Sequence, residues 1–370
     1  MEKIPTVTVG LSGGVDSSLA AALLVDSGYR VIGLTMKIWR GAYKIQEGIK
    51  HACYGPGEEE DIESCQKLAD SLRIDYHVID LSEEYEKRVI EYFKTEYLSG
   101  RTPNPCIVCN RELKFGFLAA KAKVLGLEFD FFATGHYARK ERKNGVTFLK
   151  KAADDAKDQS YFLYGLDSDL LDSILFPLGE MTKGQVRALA RQHSLDVAEK
   201  PESQDFIAGG NYAPLFEGKE PEPGDMVDTS GKILGTHRGL PYYTVGQRRG
   251  LGISVGPDPL YVLSLDAVKN RVVLGPNRGL FAEGLASRNF RFQDPRMMGK
   301  VIELSFGFTA KIRQNHKPVA VSVLWGEGAE IHFQTPQRAI APGQSVVLYS
   351  PEGLVVGGGI IDRAFETAAD

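Results

Sequence analysis

The chain has 370 residues, 43% of them hydrophobic and 25% charged, with four cysteines and a formal net charge of −4. This is a globular composition sized for two or three domains, without the global positive charge of a nucleic-acid binder, so any such binding needs a local basic face. No apolar run reaches the roughly 18 residues of a membrane span, Met1–Pro5 is too short and polar for a signal peptide, and the sparse cysteines do not form a disulfide scaffold, which leaves a cytoplasmic protein with no membrane partner.

Residues 6–9, Thr-Val-Thr-Val, are β-branched and read as a buried strand. Gly10-Leu11-Ser12-Gly13-Gly14-Val15-Asp16-Ser17-Ser18 follows, and Leu19–Leu24 is Ala/Leu-rich and reads as a helix. The glycines thus stand where a strand turns into a helix N-terminus. Backbone N–H groups and the positive dipole end converge there, which suits a phosphate. Gly13 and Gly14 allow close backbone approach, and Ser12, Ser17 and Ser18 add hydroxyl donors. The Lys-Ser/Thr of a Walker A loop is missing, and so is the G-x-G-x-x-G spacing of a dinucleotide site. The alternative is an ordinary strand–helix turn capped by Asp16 or Ser17.

Arg30–Met36 reads as a second strand, completing a βαβ unit and predicting a parallel, doubly wound sheet. Ligands of such sheets lie at the carboxyl ends of strands, which puts Met36 beside the loop. Residues 41–60 read as a loop carrying Cys53, 58–72 as a helix carrying Cys65, 75–80 as a strand and 83–97 as an amphipathic helix. His77 and Cys65 are most simply structural. Two prolines keep 102–105 extended. Cys106-x-x-Cys109 then opens into a helix expected to begin near Asn110, where the helix N-terminus, Arg111 and Lys114 would lower a thiol pKa. A Gly-, Pro- and Glu-dense stretch over 209–224 marks a boundary. In the last third, 301–306, 319–324, 330–333 and 345–349 are short alternating segments between turns, and these predict a small antiparallel barrel. Gln247-Arg-Arg249 and the pair Lys311/Arg313 offer local positive charge for a phosphate backbone.

Ser12-Gly-Gly-Val-Asp-Ser-Ser18 resembles the PP-loop of the ATP pyrophosphatases. Pro103-Asn-Pro-x-x-x-Cys109-Asn-Arg-Glu-x-Lys-Phe115 is similar to the nucleophile segment of one branch of them, the tRNA-specific 2-thiouridylases (the MnmA/TrmU family). Ala133–Arg139, Lys157–Tyr164, Phe176–Lys183, Gly235–Leu240, Tyr243–Ile253, Ala310–Arg313 and Ala341–Gln344 extend the resemblance over nearly the whole chain. It implies an α/β fold, a doubly wound parallel sheet of the Rossmann-like PP-loop type (1–208), followed by a small central β-rich domain (209–283) and a C-terminal antiparallel β-barrel (284–370).

It also implies ATP on Gly10, Leu11, Ser12, Gly13, Gly14, Val15, Asp16 and Ser17, with Met36 on the adenine and Gly135 on the nucleotide. Asp16 is the candidate to orient Mg2+. His136, Lys157, Asp158, Gln159, Arg313 and Gln344 would meet tRNA, and Cys109 would be the nucleophile. The implied reaction is 2-thiolation of the wobble uridine (U34) through an adenylated intermediate.

The chain departs from the family at one place. Relatives carry a second, persulfide-bearing cysteine at the position of Ile207, which cannot carry sulfur. Cys106 and Cys109 acting as a dithiol is one repair. Cys53, Cys106 and Cys109 holding an iron–sulfur (4Fe-4S) cluster is another. A structural zinc site is a weaker third. The sulfur would come from a donor protein or inorganic sulfide. A divergent paralogue that no longer thiolates and serves as a sulfur carrier or RNA-binding protein is the competing reading.

Overall fold

The computed structural model describes residues 3–45, 52–200, 205–207, 211–218, 220–253, 258–297, 302–325 and 328–366; the expectations that fall on 201–204, on the 208–210 boundary and on Val301 lie outside them. Two compact units are formed, Met1–Ile90 with Pro105–Leu215, and Glu91–Asn104 with Phe216–Asp370.

In the first unit, β1 (Thr6–Gly10), α1 (Val15–Asp26) and β2 (Arg30–Lys37) make the expected βαβ start. Next come β3 (Ala52–Tyr54), α2 (Glu58–Leu72), β4 (Asp75–Asp80) and β5 (Phe131–Thr134). The hairpin β6 (Arg139–Lys143) and β7 (Val146–Lys150), then β8 (Ile174–Leu175) and β9 (Asp205–Ile207), complete the strands. The main sheet is parallel throughout, in the order β4–β2–β1–β5–β8. α1 is apolar all round because it is covered on two sides. Ala21 and Leu24 pack with Val7, Val9 and Val31 of the sheet, and Leu19 and Ala20 pack with Val186 and Ala190 of the helix Lys183–Gln192.

Cys53 lies on a strand, not in a loop. β3 pairs in parallel with β9, Ala52 opposite Asp205 and Tyr54 opposite Ile207. A three-residue strand whose partner is some 150 residues away in sequence leaves no local pattern to read.

The second unit carries a sheet in the order β11–β10–β13–β12, made of β10 (Gly224–Val227), β11 (Ile233–His237), β12 (Tyr261–Asp266) and β13 (Arg271–Gly275). Its barrel closes as β14–β17–β16–β15–β18–β19. These strands are β14 (Phe281–Phe292), β15 (Ile302–Lys311), β16 (Val319–Trp325), β17 (Ala329–Arg338), β18 (Ser345–Tyr349) and β19 (Val355–Glu366). The expected antiparallel barrel is therefore present. Its two longest strands, β14 and β19, were missing from the sequence pattern. Gly357 and Gly359 weaken the strand signal in β19, and the pairing explains them: a Cβ at Gly357 would lie 2.3 Å from the Arg291 carbonyl oxygen of β14.

Glu91–Asn104 belongs with this unit, although the sequence reading keeps it within 1–208. Thr102 N–H donates to Pro342 O at 2.8 Å, and Gln344 Nε2 donates to Thr102 O at 3.0 Å and Pro103 O at 3.2 Å. Glu96 is buried between Arg101 (Nε–Oε2 2.7 Å) and Arg288 (Nη2–Oε2 3.0 Å).

Burial alone would raise the Glu96 pKa, but Arg101 and Arg288 outweigh it and hold the carboxyl below the ordinary glutamate range. The stability this adds is present above the ordinary glutamate pKa and is lost as pH falls through the lowered folded-state value. Glu96→Gln should cost roughly 2 kcal/mol at neutral pH. The gap between its urea midpoint and that of the parent should narrow as pH is lowered below about 4; an unchanged gap would refute the assignment.

Candidate active site

The sheet order reverses at β1. From β1 the chain moves outward through β2 to β4, then returns to the other side as β5 and β8. A crevice therefore opens between the carboxyl ends of β1 and β5, where open α/β sheets take their ligands. Both glycine-bearing loops lie there. Gly13 has φ +68° and a Cβ on it would stand 2.9 Å from Asp61 Oδ1, so only glycine is accommodated. Gly135 follows β5, and a Cβ on it would stand 2.6 Å from both the Asp16 carbonyl carbon and the Ser17 nitrogen.

Gly14, extended at φ −100°, is the N-cap of α1, and no side chain caps the helix. Neither Asp16 nor Ser17 is the cap that the ordinary-turn alternative expected. Ser17 Oγ accepts from Ser12 N–H at 3.2 Å and lies 3.2 Å from Gly14 O; Ser18 Oγ donates to Gly14 O at 2.9 Å. These hydroxyls hold the loop shape, while the first-turn N–H groups of α1 keep the dipole-favoured position for an anion. Leu11 and Val15 are buried and anchor the loop, with Thr35 Oγ1 donating to Leu11 O at 3.1 Å. Met36 is half-buried near the carboxyl end of β2, opposite Ile79 of β4.

Asp16 does not offer a free carboxylate. Lys183 Nζ lies 2.7 Å from its Oδ1 and 2.9 Å from its Oδ2, and Tyr137 OH donates to Oδ1 at 2.8 Å. Mg2+ at this carboxylate would face an ammonium group already holding both oxygens, so Asp16 as placed does not fit the ion. Lys200 Nζ likewise donates to Gly13 O at 2.9 Å and to Asp61 Oδ1 at 2.6 Å. Sequence reasoning assigned no role to Lys183, Lys200, Asp61 or Tyr137. The available signals were the loop's own lack of a lysine and the presence of Tyr137 and Lys183 in segments that extend the resemblance, Ala133–Arg139 and Phe176–Lys183.

The residues expected to meet RNA are placed as follows. His136 is 8% exposed, with Nδ1 2.8 Å from Thr134 Oγ1. Burial, then the nearby Lys114, hold its pKa well below the ordinary histidine value, so the ring is neutral. Asp158 is 2% exposed and accepts from Ala152 N–H, Ser160 N–H and Ser160 Oγ at 3.1, 3.1 and 2.9 Å. Gln159 Oε1 accepts from Tyr137 N–H at 2.9 Å. Asp158 and Gln159 therefore shape the turn that presents the half-buried Lys157. In the second unit Arg313 is exposed beside Arg338 O at 3.4 Å, and Gln344 holds Thr102 and Pro103 as described.

The cysteine segment differs from expectation in two ways. Its helix begins at Pro105, not near Asn110, because proline suits a first helical position, where its missing N–H costs nothing. Cys106 and Cys109 are therefore inside the helix, three residues apart on one face, and Cys109 opens a π-wound stretch that runs to Leu118. Second, the thiol of Cys109 is not acidified. Burial pushes it up to about 11, with Lys114 pulling it down and Cys53 adding to the rise.

Cys53 is exposed, while Cys106 and Cys109 are each half-buried. All three act electrostatically on the buried Tyr85 phenol, whose pKa burial, then Cys109, Cys53 and Cys106, drive well above the ordinary tyrosine value. The three thiols thus share one neighbourhood around Tyr85, although among the described residues no three His, Cys, Asp or Glu side chains are arranged to hold a metal ion. Cys65 is buried, as expected of a structural thiol. Ile207 is 0% exposed, an apolar core residue.

A family profile described as "tRNA methyl transferase HUP domain" matches residues 5–208; others described as "tRNA methyl transferase PRC-barrel domain" and "Aminomethyltransferase beta-barrel domain" match 215–276 and 287–361. Among curated proteins, the tRNA-specific 2-thiouridylase MnmA of Endomicrobium trichonymphae is 44% identical over 367 residues, covering 98% of this chain and 100% of the relative. The protein of that name from Carboxydothermus hydrogenoformans is 43% identical over 366 residues, covering 96% and 97%.

Iodoacetamide should label Cys53 well before Cys109 at pH 8, and the Cys109 rate should keep climbing up to about pH 11, as mass spectrometry of the labelled peptides will show. Lys114→Met should move that rise to still higher pH. Gly135→Ala should lower folding stability by about 1–3 kcal/mol, read from the denaturant midpoint, because its methyl meets backbone and not a side chain that can swing away.

Proposed function

The chain belongs to the tRNA-specific 2-thiouridylase family, and from that membership and the loop geometry we propose how it performs an ATP-dependent 2-thiolation of the wobble uridine (U34) of tRNA. The observation that carries the proposal is the uncapped α1 N-terminus with Gly13 and Gly14 before it, set at the carboxyl end of β1. Residues 1–208 bind ATP and carry the thiols, and 209–283 and 284–370 hold tRNA, with Arg313 and Gln344 contributing from the barrel. Gly10–Ser17 takes the β- and γ-phosphates, Met36 flanks the base and Gly135 keeps the crevice narrow.

The target base must leave its stack before O2 can be reached. O2 then attacks the α-phosphorus, and the bond to the β-phosphate oxygen breaks. Pyrophosphate leaves with the electron pair, and the N3 proton is released. The loop's aligned N–H groups stabilise that leaving charge. Since the Asp16 carboxylate as placed does not fit Mg2+, no step is assigned to the ion.

Sulfur arrives as a persulfide from a donor protein and is passed to Cys109. The terminal sulfur attacks C2 and AMP departs. The thiol of Cys106 then attacks the Cys109 sulfur, breaking the S–S bond to leave 2-thiouridine and a Cys106–Cys109 disulfide, which a cellular dithiol reduces for the next turn. This pairing takes the place of the second cysteine that the family resemblance implies at position 207, where this chain has Ile. Thiolates are suitable ligands for an iron–sulfur cluster, and Cys53, Cys106 and Cys109 would be the ones to hold it, but the dithiol route needs only Cys106 and Cys109 and no step is routed through a cluster.

Cys109→Ser should abolish 2-thiouridine, measured by nucleoside analysis of tRNA, while tRNA-dependent pyrophosphate release from ATP continues. Loss of pyrophosphate release in that variant would place Cys109 in the adenylation step and overturn the scheme. Iron and acid-labile sulfide present in stoichiometric amounts after anaerobic purification would overturn the dithiol route.

A further inference from the structure

The phosphate loop has no lysine of its own, yet two lysines from far along the chain end on it. Lys183 is the first residue of the helix Lys183–Gln192, held in place by a reciprocal Thr182/Gln185 capping box and by its own N–H donating to Asp154 Oδ2 at 3.0 Å. Its ammonium reaches back across 167 residues of sequence to both oxygens of Asp16 in the first turn of α1. Lys200 also reaches the loop, bonding the Gly13 carbonyl oxygen and Asp61 at once. Each ammonium is thus matched to one carboxylate, and each sits beside the backbone on which the phosphates are to rest. The Lys183 side chain is only 12% exposed.

We propose that Lys183 and Lys200 are the pyrophosphate-binding cations of this site, each held by its carboxylate until a triphosphate arrives and draws it away. The inference rests on the reading of Gly10–Ser17 as an ATP loop. The physical reason is a competition of charges. A carboxylate presents one negative charge, and the β,γ-phosphates present several, together with more acceptor oxygens. Lysine is a compact charge on a flexible stem, so a shift of a few ångströms needs no backbone movement. Tyr137 OH also donates to Asp16, so that carboxylate keeps a partner when Lys183 leaves. Gly13 at positive φ turns its carbonyl toward Lys200. The charge on the departing pyrophosphate is then met by two side chains preorganised around the loop.

The test compares ligands on the full chain by equilibrium binding of ATP, inorganic pyrophosphate and AMP, each without and with Mg2+. Lys183→Met and Lys200→Met should each weaken ATP and pyrophosphate roughly 10- to 100-fold, the worth of one hydrogen bond to a charged group, and leave AMP unchanged. Asp16→Asn keeps the shape and removes the competing charge, so it should bind pyrophosphate as tightly as the parent or more tightly. It also serves if a lysine variant fails to fold. If the lysines only brace the fold, AMP will weaken along with ATP, or ATP will not change, and the proposal falls. It falls as well if Asp16→Asn weakens pyrophosphate. A parent that binds ATP and pyrophosphate but makes no 2-thiouridine would sink the functional reading and leave this one standing. A parent that binds neither would sink both.

Discussion

The crevice exists because the end of β5 can lie against the first turn of α1. Gly135 is the residue that allows it, since any Cβ there would meet the backbone of Asp16 and Ser17 at 2.6 Å. That contact joins the two strands at which the sheet order reverses, and it brings the Thr134–Tyr137 segment over the phosphate loop. His136 and Tyr137 are positioned through it, and through Tyr137 so is Asp16. A sheet of the same order with a bulkier residue at 135 would keep its topology and lose its site.

Electrostatics in the site follows from the same close packing. An uncapped helix N-terminus is attractive to anions only while no side chain satisfies it. The hydroxyls of Ser17 and Ser18 turn toward the Gly14 carbonyl, and Asp16 is held away by Lys183 and Tyr137. The acidic side chains nearest the loop are each neutralised by a lysine brought from the far end of the unit. The loop is therefore kept clear of local negative charge that would repel a nucleotide.

The thiols show how burial overrides local charge. Lys114 does pull the Cys109 pKa down, but enclosure of the sulfur is the larger effect and the thiol stays protonated near neutral pH. Such a thiol reacts slowly with electrophiles at neutral pH, because little of it is thiolate. Cys106 lies one helical turn away on the same face. Ile207 is a fully buried apolar residue of β9, and β3, paired with β9, carries a third thiol, Cys53, whose charge acts on Cys109.

Local sequence determined much of this protein. The βαβ start, the glycine loop and the antiparallel nature of the last third were readable because strand, helix and turn preferences act over a few residues; Cys109 as nucleophile candidate came only from the resemblance to a family. Only the tertiary structure decided the helix start at Pro105, the raised Cys109 thiol, the strand carrying Cys53, the barrel strands β14 and β19, and the grouping of Glu91–Asn104 with the barrel. It also decided that Asp16 meets Lys183 and that Gly13 meets Lys200. The reason is common to all but the first of these. Burial, strand pairing and ion pairing depend on partners up to 242 residues apart, and no local pattern of side chains encodes which distant charge or carbonyl will arrive.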